Sequence, residues 1–478
     1  MAENITPTVK HFAIRRAVIQ PHLMTKGLNP GNNIPFDIAP MIVETIMSEG
    51  MTQGILMGYI KVVDGTGFLE NYPLRGEERL TLELEDAVKN VRVWDLFIYK
   101  IDNIEVSHSN KMLIYTLHFM TFQSFMGVNS VLTVPYRGQT IANIANDVFL
   151  KHLWREKNDE VFADVDVSKN NTLEIFDETR RQMVSEQTEG FTRLIIPRLN
   201  AIKALHFLAL RAFSHRSPST SFRFFETSSC YYFISDEELF RQNLKDEKHI
   251  FPMTFADNFV KGGPNFGEEF NNLTTFNNIK RIDTIDDIES GAYKSHVIEL
   301  DLLGSTVNFR PDLSPKGDFD FYRDMKLYKM ADGSDIETGD RHTKEFMELY
   351  SRYDNAKQYI VYKDWDEGSD VAAYQLRGEQ YFKEIAKRRV PFRRHLESLT
   401  VVSQGPGRLD IIPGDIIDVT IKDINADTEK VEDNKQLSGK YLVMHINRRF
   451  QLTEATNIYT LVKMNWETTV DTGNVGET

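Results

Sequence analysis

One order of three strands occurs twice in this chain, and that repetition limits the possible folds more than any other feature. In the first copy the turn glycine Gly76 opens GEERLTLEL, which is followed by LFIYKID and IYTLHF. In the second copy residues 408–421 read RLDIIPGDIIDVTI, and KYLVMHINRRF and IYTLVK follow. Each segment alternates apolar and polar residues and is rich in β-branched and aromatic types, as strands with one buried face are. We therefore predict a β domain that is present twice, with strands on both sides of the Pro413-Gly414 turn.

The length of the chain and the changes of pattern along it divide it into four parts. With 478 residues, of which 41% are hydrophobic, there is material for roughly three domains with real cores. We predict a β-rich α+β fold with two antiparallel β-barrel or sandwich domains, helical insertions and an extra middle domain. The predicted boundaries are 1–128 for the first β domain, 129–248 for a helical segment plus the first part of the second β domain, 249–384 for a middle α+β insertion, and 385–478 for the second part of that domain and a polar C-terminal tail.

Composition argues against several classes of protein. The single cysteine, Cys230, excludes an internal disulfide and a zinc site built on several thiolates, which suits a reducing compartment. The first ten residues show no basic stretch followed by an apolar one, so we expect no secretory signal. No uncharged apolar run is long enough to cross a bilayer, so we expect no membrane insertion. A net charge of −14 argues against a general nucleic-acid binder, whose affinity comes from pairing Lys and Arg with phosphates.

Helices are predicted between and after the β segments. Residues 136–139, YRGQ, are expected as a turn, and Thr140 as the N-cap of a helix with an apolar stripe. A second helix, NAIKALHFLALRAF, follows with Asn200 as its cap, and it is apolar almost all round. We therefore expect it to be buried, with His206 as a packed residue rather than a ligand. A third helix is predicted at residues 378–389, GEQYFKEIAKRR.

Two aromatic-rich strands, SFRFFE and CYYFIS, are predicted around a turn at residues 227–229. Period-two alternation places four aromatic side chains on one face, where cross-strand packing is expected: Phe222, Phe224, Tyr231 and Phe233. Cys230 lies beside the turn. We expect it to be inert, because no neighbouring histidine or basic pocket in the sequence would activate its thiol.

Several charged clusters resemble chemical sites, but none has the required pattern. His152 and Glu156 lie one helical turn apart but lack a third ligand, so a surface pair is favoured over a metal site. The acidic group in residues 332–343 fails the calcium-loop pattern, since glycine is second rather than sixth and Thr343 occupies the twelfth position. The remaining acidic candidates are expected to be loop or strand carboxylates: Asp283, Asp286, Asp287, Asp318 and Asp320.

The sequence also lacks the motifs that recognisable enzymes carry. There is no phosphate loop, paired-histidine zinc helix, nucleophile elbow or dinucleotide glycine fingerprint. We therefore expect no enzymatic activity, no catalytic or metal-binding residues and no cofactor. One dense basic cluster is expected either to stabilise a helix C-terminus or to contact acidic neighbours or DNA phosphate in an assembly: Lys387, Arg388, Arg389, Arg393 and Arg394.

The order of segments along the chain resembles that of the baseplate central hub proteins of contractile-tailed bacteriophages. The segments are VVDGTGFLENYPLRGEERLTLEL, VPYRGQTIANIANDVF, LNAIKALHFLAL with FRFFETSSCYYFISDEEL, IDDIESGAY, and RLDIIPGDIIDVTI with GKYLVMHINRRF. The similarity covers most of the chain and lies in the order of the segments rather than in one motif. The amino-terminal part of type VI secretion spike proteins is related to the same family. The polar segment at residues 332–370 has no counterpart in this resemblance.

The resemblance implies a homotrimer with two tube-like β domains per chain, giving six similar units around a channel. Such a ring joins the sixfold tail tube to the threefold central spike in the virion tail baseplate, assembled in the host cytoplasm. The implied partners are further copies of the chain, the central spike protein, the tail tube protein and baseplate wedge or sheath-initiating proteins, with DNA only in passage. Glu83 and Glu85, on the polar face of one strand, are candidates either to line that channel or to face solvent.

Three alternatives follow from other features. A tail-associated cell-wall hydrolase would require a carboxylate pair in a cleft. A DNA-binding protein would require a basic face and steep salt dependence of binding. A hub or spike protein of a bacterial contractile injection system is a variant of the first interpretation.

Overall fold

The computed structural model of the chain describes residues 11–20, 35–72, 74–76, 78–107, 112–154, 182–215, 221–245, 249–255, 270–280, 285, 295–301, 305–310, 357–362, 399–424, 431–434, 437–451 and 454–463. The predicted helix at 378–389, the acidic candidates of residues 283–343 and the basic cluster of residues 387–394 lie outside them.

Strands dominate the described chain. Fourteen of them form one large sheet: β1 (Ala13–Gln20), β2 (Phe36–Asp37), β3 (Ile42–Gly50), β4 (Met57–Asp64), β5 (Glu78–Glu85), β6 (Val91–Ser107), β7 (Met112–Thr121), β13 (Ile250–Phe255), β14 (Thr275–Lys280), β18 (Leu399–Pro406), β19 (Ile416–Ile424), β20 (Val431–Asp433), β21 (Gly439–Gln451) and β22 (Glu454–Lys463). The others form three small sheets: β8 (Val131–Gln139) with β10 (Thr192–Asn200); β9 (Met183–Ser185), β11 (Phe222–Glu226) and β12 (Tyr231–Ser235); and β15 (Ser295–Asp301), β16 (Thr306–Arg310) and β17 (Lys357–Tyr362). The prediction of a β-rich chain is confirmed, and the largest sheet is antiparallel except for one strand pair. The division into two barrel or sandwich domains stays a prediction.

Helices are fewer and short. The described α-helices are α1 (Phe68–Asn71), α2 (Phe122–Asn129), α3 (Ile141–Val148), α4 (Ala201–Ala209) and α5 (Asp236–Lys245). A 3-10 turn covers Ala39–Met41, and α3 continues into a π-helical stretch at Phe149–Trp154.

The large sheet contains two runs of strands with the same neighbour order. The first run is β3-β4-β7-β6-β5-β1 and the second run is β14-β18-β22-β21-β19-β13. Every neighbouring pair is antiparallel except β13 and β19, which are parallel. The three strands predicted from each sequence copy are β5, β6 and β7 in the first run and β19, β21 and β22 in the second. The shared tetrapeptide IYTL lies on β7 and β22, where it buries a tyrosine and a leucine in each run.

Each run encloses its own apolar core. On β5 the alternation predicted from sequence is observed, with Leu80, Leu82 and Leu84 fully buried against β6 and β7. The first core also takes in Leu409, Phe450 and Ala455 from the second run. The second core centres on buried residues of β18 to β22: Val401, Ile417, Val419, Tyr441, Val443, Ile446, Tyr459 and Leu461.

A third core joins the helices to the aromatic strands. Thr140 and Asn200 cap α3 and α4 as predicted, and their side chains accept hydrogen bonds from the backbone N–H groups of Asn143 and Lys203. The four aromatic side chains predicted to share a face all lie in this core. His206 packs there edge-on against Phe224 at 5.9 Å between ring centroids, and burial lowers its pKa. It is a packed residue, as predicted.

Two local predictions were wrong. Residues 136–139 are not a turn but the end of β8, where Tyr136 pairs with Leu194 of β10. The left-handed φ of +69° at Gly138 accompanies a register shift in this pairing, so the glycine serves an irregular strand rather than a turn. Residues 408–412 are not a strand either. Side chains replace the ladder there, because Arg448 donates to the carbonyls of Arg408 and Ile411.

Candidate assembly interface

The two runs meet where the second half of β21 pairs with β3. The antiparallel partners extend from His445 opposite Gly50 to Gln451 opposite Glu44. The first residues of β21 pair with β19 along the same edge that β3 occupies further on. Along the other edge β21 pairs with β22 over most of its length. A register shift between Val443 and His445 marks the change of partner from β19 to β3. A bulge bends a strand and increases its twist, which lets one strand serve both neighbours.

The imidazole of His445 occupies the space beside Gly50 at this joint. A Cβ atom at residue 50 would lie 2.3 Å from Cδ2 of His445, closer than any real contact of that kind. The same imidazole forms a hydrogen bond between its Nε2 and Oγ of Ser48 at 3.0 Å. Burial lowers the pKa of His445.

A buried ion pair crosses the joint. Nε of Arg448 on β21 lies 2.8 Å from Oε1 of Glu49 on β3, and both side chains are fully buried. The guanidinium also donates to the carbonyls of Arg408 at 2.6 Å and Ile411 at 2.5 Å. Glu49 accepts two further hydrogen bonds from the backbone N–H and the hydroxyl of Ser228. Burial alone would raise the pKa of Glu49, but the charge of Arg448 and these hydrogen bonds hold it below its ordinary value.

The turn of the aromatic hairpin therefore anchors the joint from one side. Beside Ser228, the buried carboxylate of Glu226 accepts hydrogen bonds from the backbone N–H of Leu56 at 3.0 Å and from the hydroxyls of Thr121, Ser124 and Tyr231 at 2.7–2.9 Å. Burial raises the pKa of Glu226 in spite of these donors. The hairpin is thus bonded to Glu49 at the joint through Ser228, and to α2 and β7 of the first run through Glu226.

Strand β6 is the counterpart of β21 in the first run. Its pairing with β5 ends at Ile98, and a register shift between Ile98 and Lys100 follows at once in its pairing with β7. Beyond this point residues 99–107 pair with β7 along one edge. Among the strands that the structure describes, none pairs with their other edge. Strand β14 pairs with β18 along one edge, and no other described strand pairs with its outer edge.

Acidic side chains on the polar face of the first run have basic partners. Arg15 on β1 contacts Glu85 directly and places its Nη1 3.9 Å from Glu83, while Nζ of Lys89 lies 2.8 Å from Glu85. The hydrogen bonds from Lys89 and Arg15 lower the pKa of Glu85. Glu83 and Glu85, the candidates for a channel lining, therefore lie on one face, where Arg15 and Lys89 balance their negative charges. That they face a channel stays a prediction.

The same compensation recurs across this face. Asp102 lies between Lys100 and His118, with 2.9 Å from its Oδ1 to Nε2 of the imidazole. At the joint, Arg449 pairs with Glu44 at 2.8 Å. The Asp102–His118 and Arg449–Glu44 pairs join neighbouring strands, so these acidic side chains have basic partners close by.

The remaining candidates from the sequence are His152 with Glu156, and Cys230. His152 lies in the π-helical stretch, and Glu156 is outside the described residues, so their pairing is not tested. Burial raises the pKa of the Cys230 thiol, which disfavours the thiolate that a nucleophile needs. Across the described part of the chain, no three His, Cys, Asp or Glu side chains cluster as metal ligands would. Of the helices described, none has the length and apolar character needed to cross a membrane.

No protein-family model matches the chain, and no curated protein is similar to it in sequence. Solved structures with a similar fold include the tail protein from Neisseria meningitidis MC58, with a TM-score of 0.45, 8% identity, and coverage of 95% of this chain and 97% of that one. The 43 kDa tail protein of prophage MuSo2 from Shewanella oneidensis gives a TM-score of 0.42, 8% identity, and coverage of 94% and 100%. An Escherichia coli component of the type VI secretion system gives 0.40, 8% identity, and coverage of 89% and 74%. Two of these structures are of tail proteins and one is of a type VI secretion component.

Proposed function

We propose that this chain is a structural hub of a phage-type tail, in which three copies form a ring of six similar units around a channel. The observation that carries the proposal is the joint between β21 and β3. It links two strand runs of the same neighbour order edge to edge within one chain. Similar units linked edge to edge form a closed ring when the rotation at each joint closes.

A trimer with two similar units in each chain can match the symmetry of a sixfold tube. Two units in each of three chains make six, so a threefold particle meets a sixfold tube with a similar contact at every position. We assign the first unit to residues 1–128, as the sequence predicts. The strands of the second run lie within residues 250–280 and 399–463, so the second unit takes β13 and β14 from the predicted insertion at 249–384 and none of the described strands of residues 129–248. The threefold side of the same particle is left to meet a trimeric spike.

The strand count supports a channel. From β14 to β6 the sheet has eight consecutive antiparallel strands, β14-β18-β22-β21-β3-β4-β7-β6, so three copies would supply three times eight, or 24. At about 4.8 Å between neighbouring strands, 24 strands have a circumference of about 115 Å and a backbone diameter of about 37 Å before strand tilt is counted. Barrels of 16 to 18 strands already leave an aqueous channel.

The compensated charge of the polar face suits passage of DNA. A basic lining would hold the phosphate backbone, and a strongly acidic one would repel it. Ion pairs such as Arg15 with Glu85 and Arg449 with Glu44 leave neither sign in excess locally. In this function the chain has no enzymatic role, and its partners are the spike, the tail tube and the surrounding baseplate proteins of a virion.

The test is the mass of the purified protein in solution together with end-on electron-microscope images. We expect a particle of three chains with a central pore and six peripheral densities. The same measurement in the presence of a trimeric spike protein gives the assembly a second chance to form. A chain that stays monomeric under both conditions contradicts the proposal.

A further inference from the structure

We infer that residues 99–107 of β6 form an antiparallel ladder with β14 of a second copy of this chain, repeating between chains the joint that β21 and β3 form within one. This inference rests on the proposed trimeric ring and names the strand edges that close it. Both edges lack a strand partner in the described parts of the chain, while their counterparts in the other run are paired.

The first half of the argument is the equivalence of β6 and β21. Each is the middle strand of its repeated trio. In each, the pairing with the preceding strand stops next to a register shift, at Ile98/Lys100 in β6 and at Val443/His445 in β21. In β21 the segment after the shift takes β3 as its new partner. The segment after the shift in β6 is built in the same way and lacks that partner among the described strands.

The second half is the equivalence of β14 and β3. Each is the end strand of its run, next to β18 in one case and β4 in the other. The outer edge of β3 is occupied by β21. In a ring of alternating units, the outer edge of β14 has to meet a β6 edge, because the β21 edge of its own chain is already used.

The register follows from residues that lie directly opposite one another on neighbouring strands, which together form a row across the sheet. In the second run one such row contains His445 on β21, Thr460 on β22, Val402 on β18 and Asn277 on β14. The row at the corresponding shift in the first run crosses from Lys100 on β6, by way of His118 and Tyr59, to Ile46 on β3. When the two runs are matched at their register shifts rather than at the IYTL tetrapeptide, Asn277 is the counterpart of Ile46.

Ile46 faces Arg449, four residues beyond His445. Four residues beyond Lys100 is Ile104, which is therefore expected opposite Asn277 of the next copy. A further irregularity in β6 between Asp102 and Glu105 shifts the register by at most one residue.

Surface chemistry agrees with this assignment. Ile104 is 56% exposed and Val106 61% exposed, although both lie on a long strand at an open edge. Apolar residues on an unprotected edge strand invite pairing with another chain, and natural proteins cover or charge such edges when no partner is intended. A second copy would cover both side chains.

Disulfide cross-linking tests the register. In a Cys230→Ser background, which removes the only native cysteine, we would combine Asn277→Cys with a cysteine at each of positions 103 to 106 in turn. Directly opposed strand residues lie within the 4.4–6.8 Å Cα separation that a disulfide requires. We expect oxidation to give covalent dimers and trimers on a non-reducing gel, with the highest yield at position 104 or one residue from it.

The matched control is the equivalent pair inside one chain, Ile46→Cys with Arg449→Cys, which should cross-link without any change in chain mass. Hydrogen exchange on the unmodified protein gives a reading that needs no variant. Amides of residues 99–107 and 275–280 should be protected in the assembled particle to the degree seen in the second half of β21.

The outcomes separate the two proposals. One outcome is a trimer with a pore in which no cysteine at positions 103 to 106 cross-links to the Asn277→Cys thiol and the amides of the β6 edge exchange freely. That outcome overturns the edge assignment but leaves the proposed function standing. A protein that remains monomeric overturns both.

Discussion

Arg448 and Glu49 form a fully buried ion pair between strands that are 399 positions apart in the chain. One lies on β21 and the other on β3, so the pair crosses the joint between the two strand runs. Both groups are also satisfied by other donors and acceptors, with Ser228 on the glutamate and two backbone carbonyls on the arginine. The pair therefore has the complete hydrogen bonding that buried charges need.

Removing one member of this pair should be severely destabilising. Arg448→Met leaves Glu49 as an uncompensated buried charge, and we expect the free energy of unfolding to fall by about 3–5 kcal/mol. Urea denaturation followed by circular dichroism measures this loss. The double variant Arg448→Met/Glu49→Leu should recover part of it, because no lone charge remains.

The neighbouring arginine is the matched control. Arg449 pairs with Glu44 on the polar face, and its side chain is about half exposed. Arg449→Met should cost less than about 1 kcal/mol, since exposed ion pairs contribute little. Equal losses for the two variants would show that burial of the Arg448 pair is not what matters at this joint.

The raised pKa of Glu226 should make the free energy of unfolding depend on pH. Burial raises the pKa of this carboxyl above its ordinary 4.5 in the folded protein. Its contribution to stability is therefore complete below pH 4.5 and is lost as the pH rises through the raised pKa. Glu226→Gln removes that loss, so the stability of the variant relative to the parent should increase as the pH rises above 4.5 in urea denaturation.

The carboxyl group of Asp64 should change the stability with pH in the opposite direction. Burial alone would raise its pKa, but backbone N–H groups of Leu69, Phe68 and Thr66 hold it below 3.8. Its contribution is present above pH 3.8 and is lost on acidification. Asp64→Asn should therefore lose stability at neutral pH relative to the parent and approach the parent as the pH falls. The same trend in both variants would refute the assigned directions.

Gly58 on β4 should not tolerate a side chain. A Cβ atom there would lie 2.1 Å from the carbonyl oxygen of Ile46 and 2.7 Å from Cζ of Phe119. Gly58→Ala is expected to lower the free energy of unfolding by about 1–3 kcal/mol or more, because backbone must shift. Gly65→Ala is the control, since its nearest contact would be Met112 at 3.7 Å. A thermal melt that ranks the two variants the other way would contradict this account.

The N-cap of α4 is expected to contribute measurably. Oδ1 of Asn200 accepts the backbone N–H of Lys203 at 2.8 Å, which satisfies one of the unpaired donors at the helix start. Asn200→Ala should cost about 1 kcal/mol, and Asn200→Asp should retain most of the stability. If both substitutions had the same effect in urea denaturation, the cap would not be acting through its side-chain oxygen.

Local patterns predicted what local physics determines. Alternating leucines located the buried face of β5, and Thr140 and Asn200 located helix starts, because strand faces and caps depend on residues close in sequence. The failures came where side chains distant in sequence replace backbone pairing. Residues 408–412 have strand-like composition, yet Arg448 takes up their carbonyls, and nothing in the segment itself indicates that arginine.

The joint was missed for the same reason. Sequence repetition predicted similar β units but not which edges meet, since the glutamate and arginine of the buried pair are hundreds of residues apart. The glycine at position 50 is a local signal only once its neighbour is known to be His445. The basic partners of Glu85 and Asp102 were also not predicted, because no periodic pattern connects Arg15, Lys89 and Lys100 with these carboxylates.

Strand β21 belongs to both runs at once, with β19 and β3 sharing one of its edges. Within the described residues the two runs are consequently joined by a hydrogen-bonded ladder rather than by a loop, and rotating one run against the other would shear that ladder. Under mechanical load, the two strand runs of each chain should move together as one rigid body. Any dilation of a pore during ejection would then be confined to the seams between copies, leaving the interior of every copy undeformed.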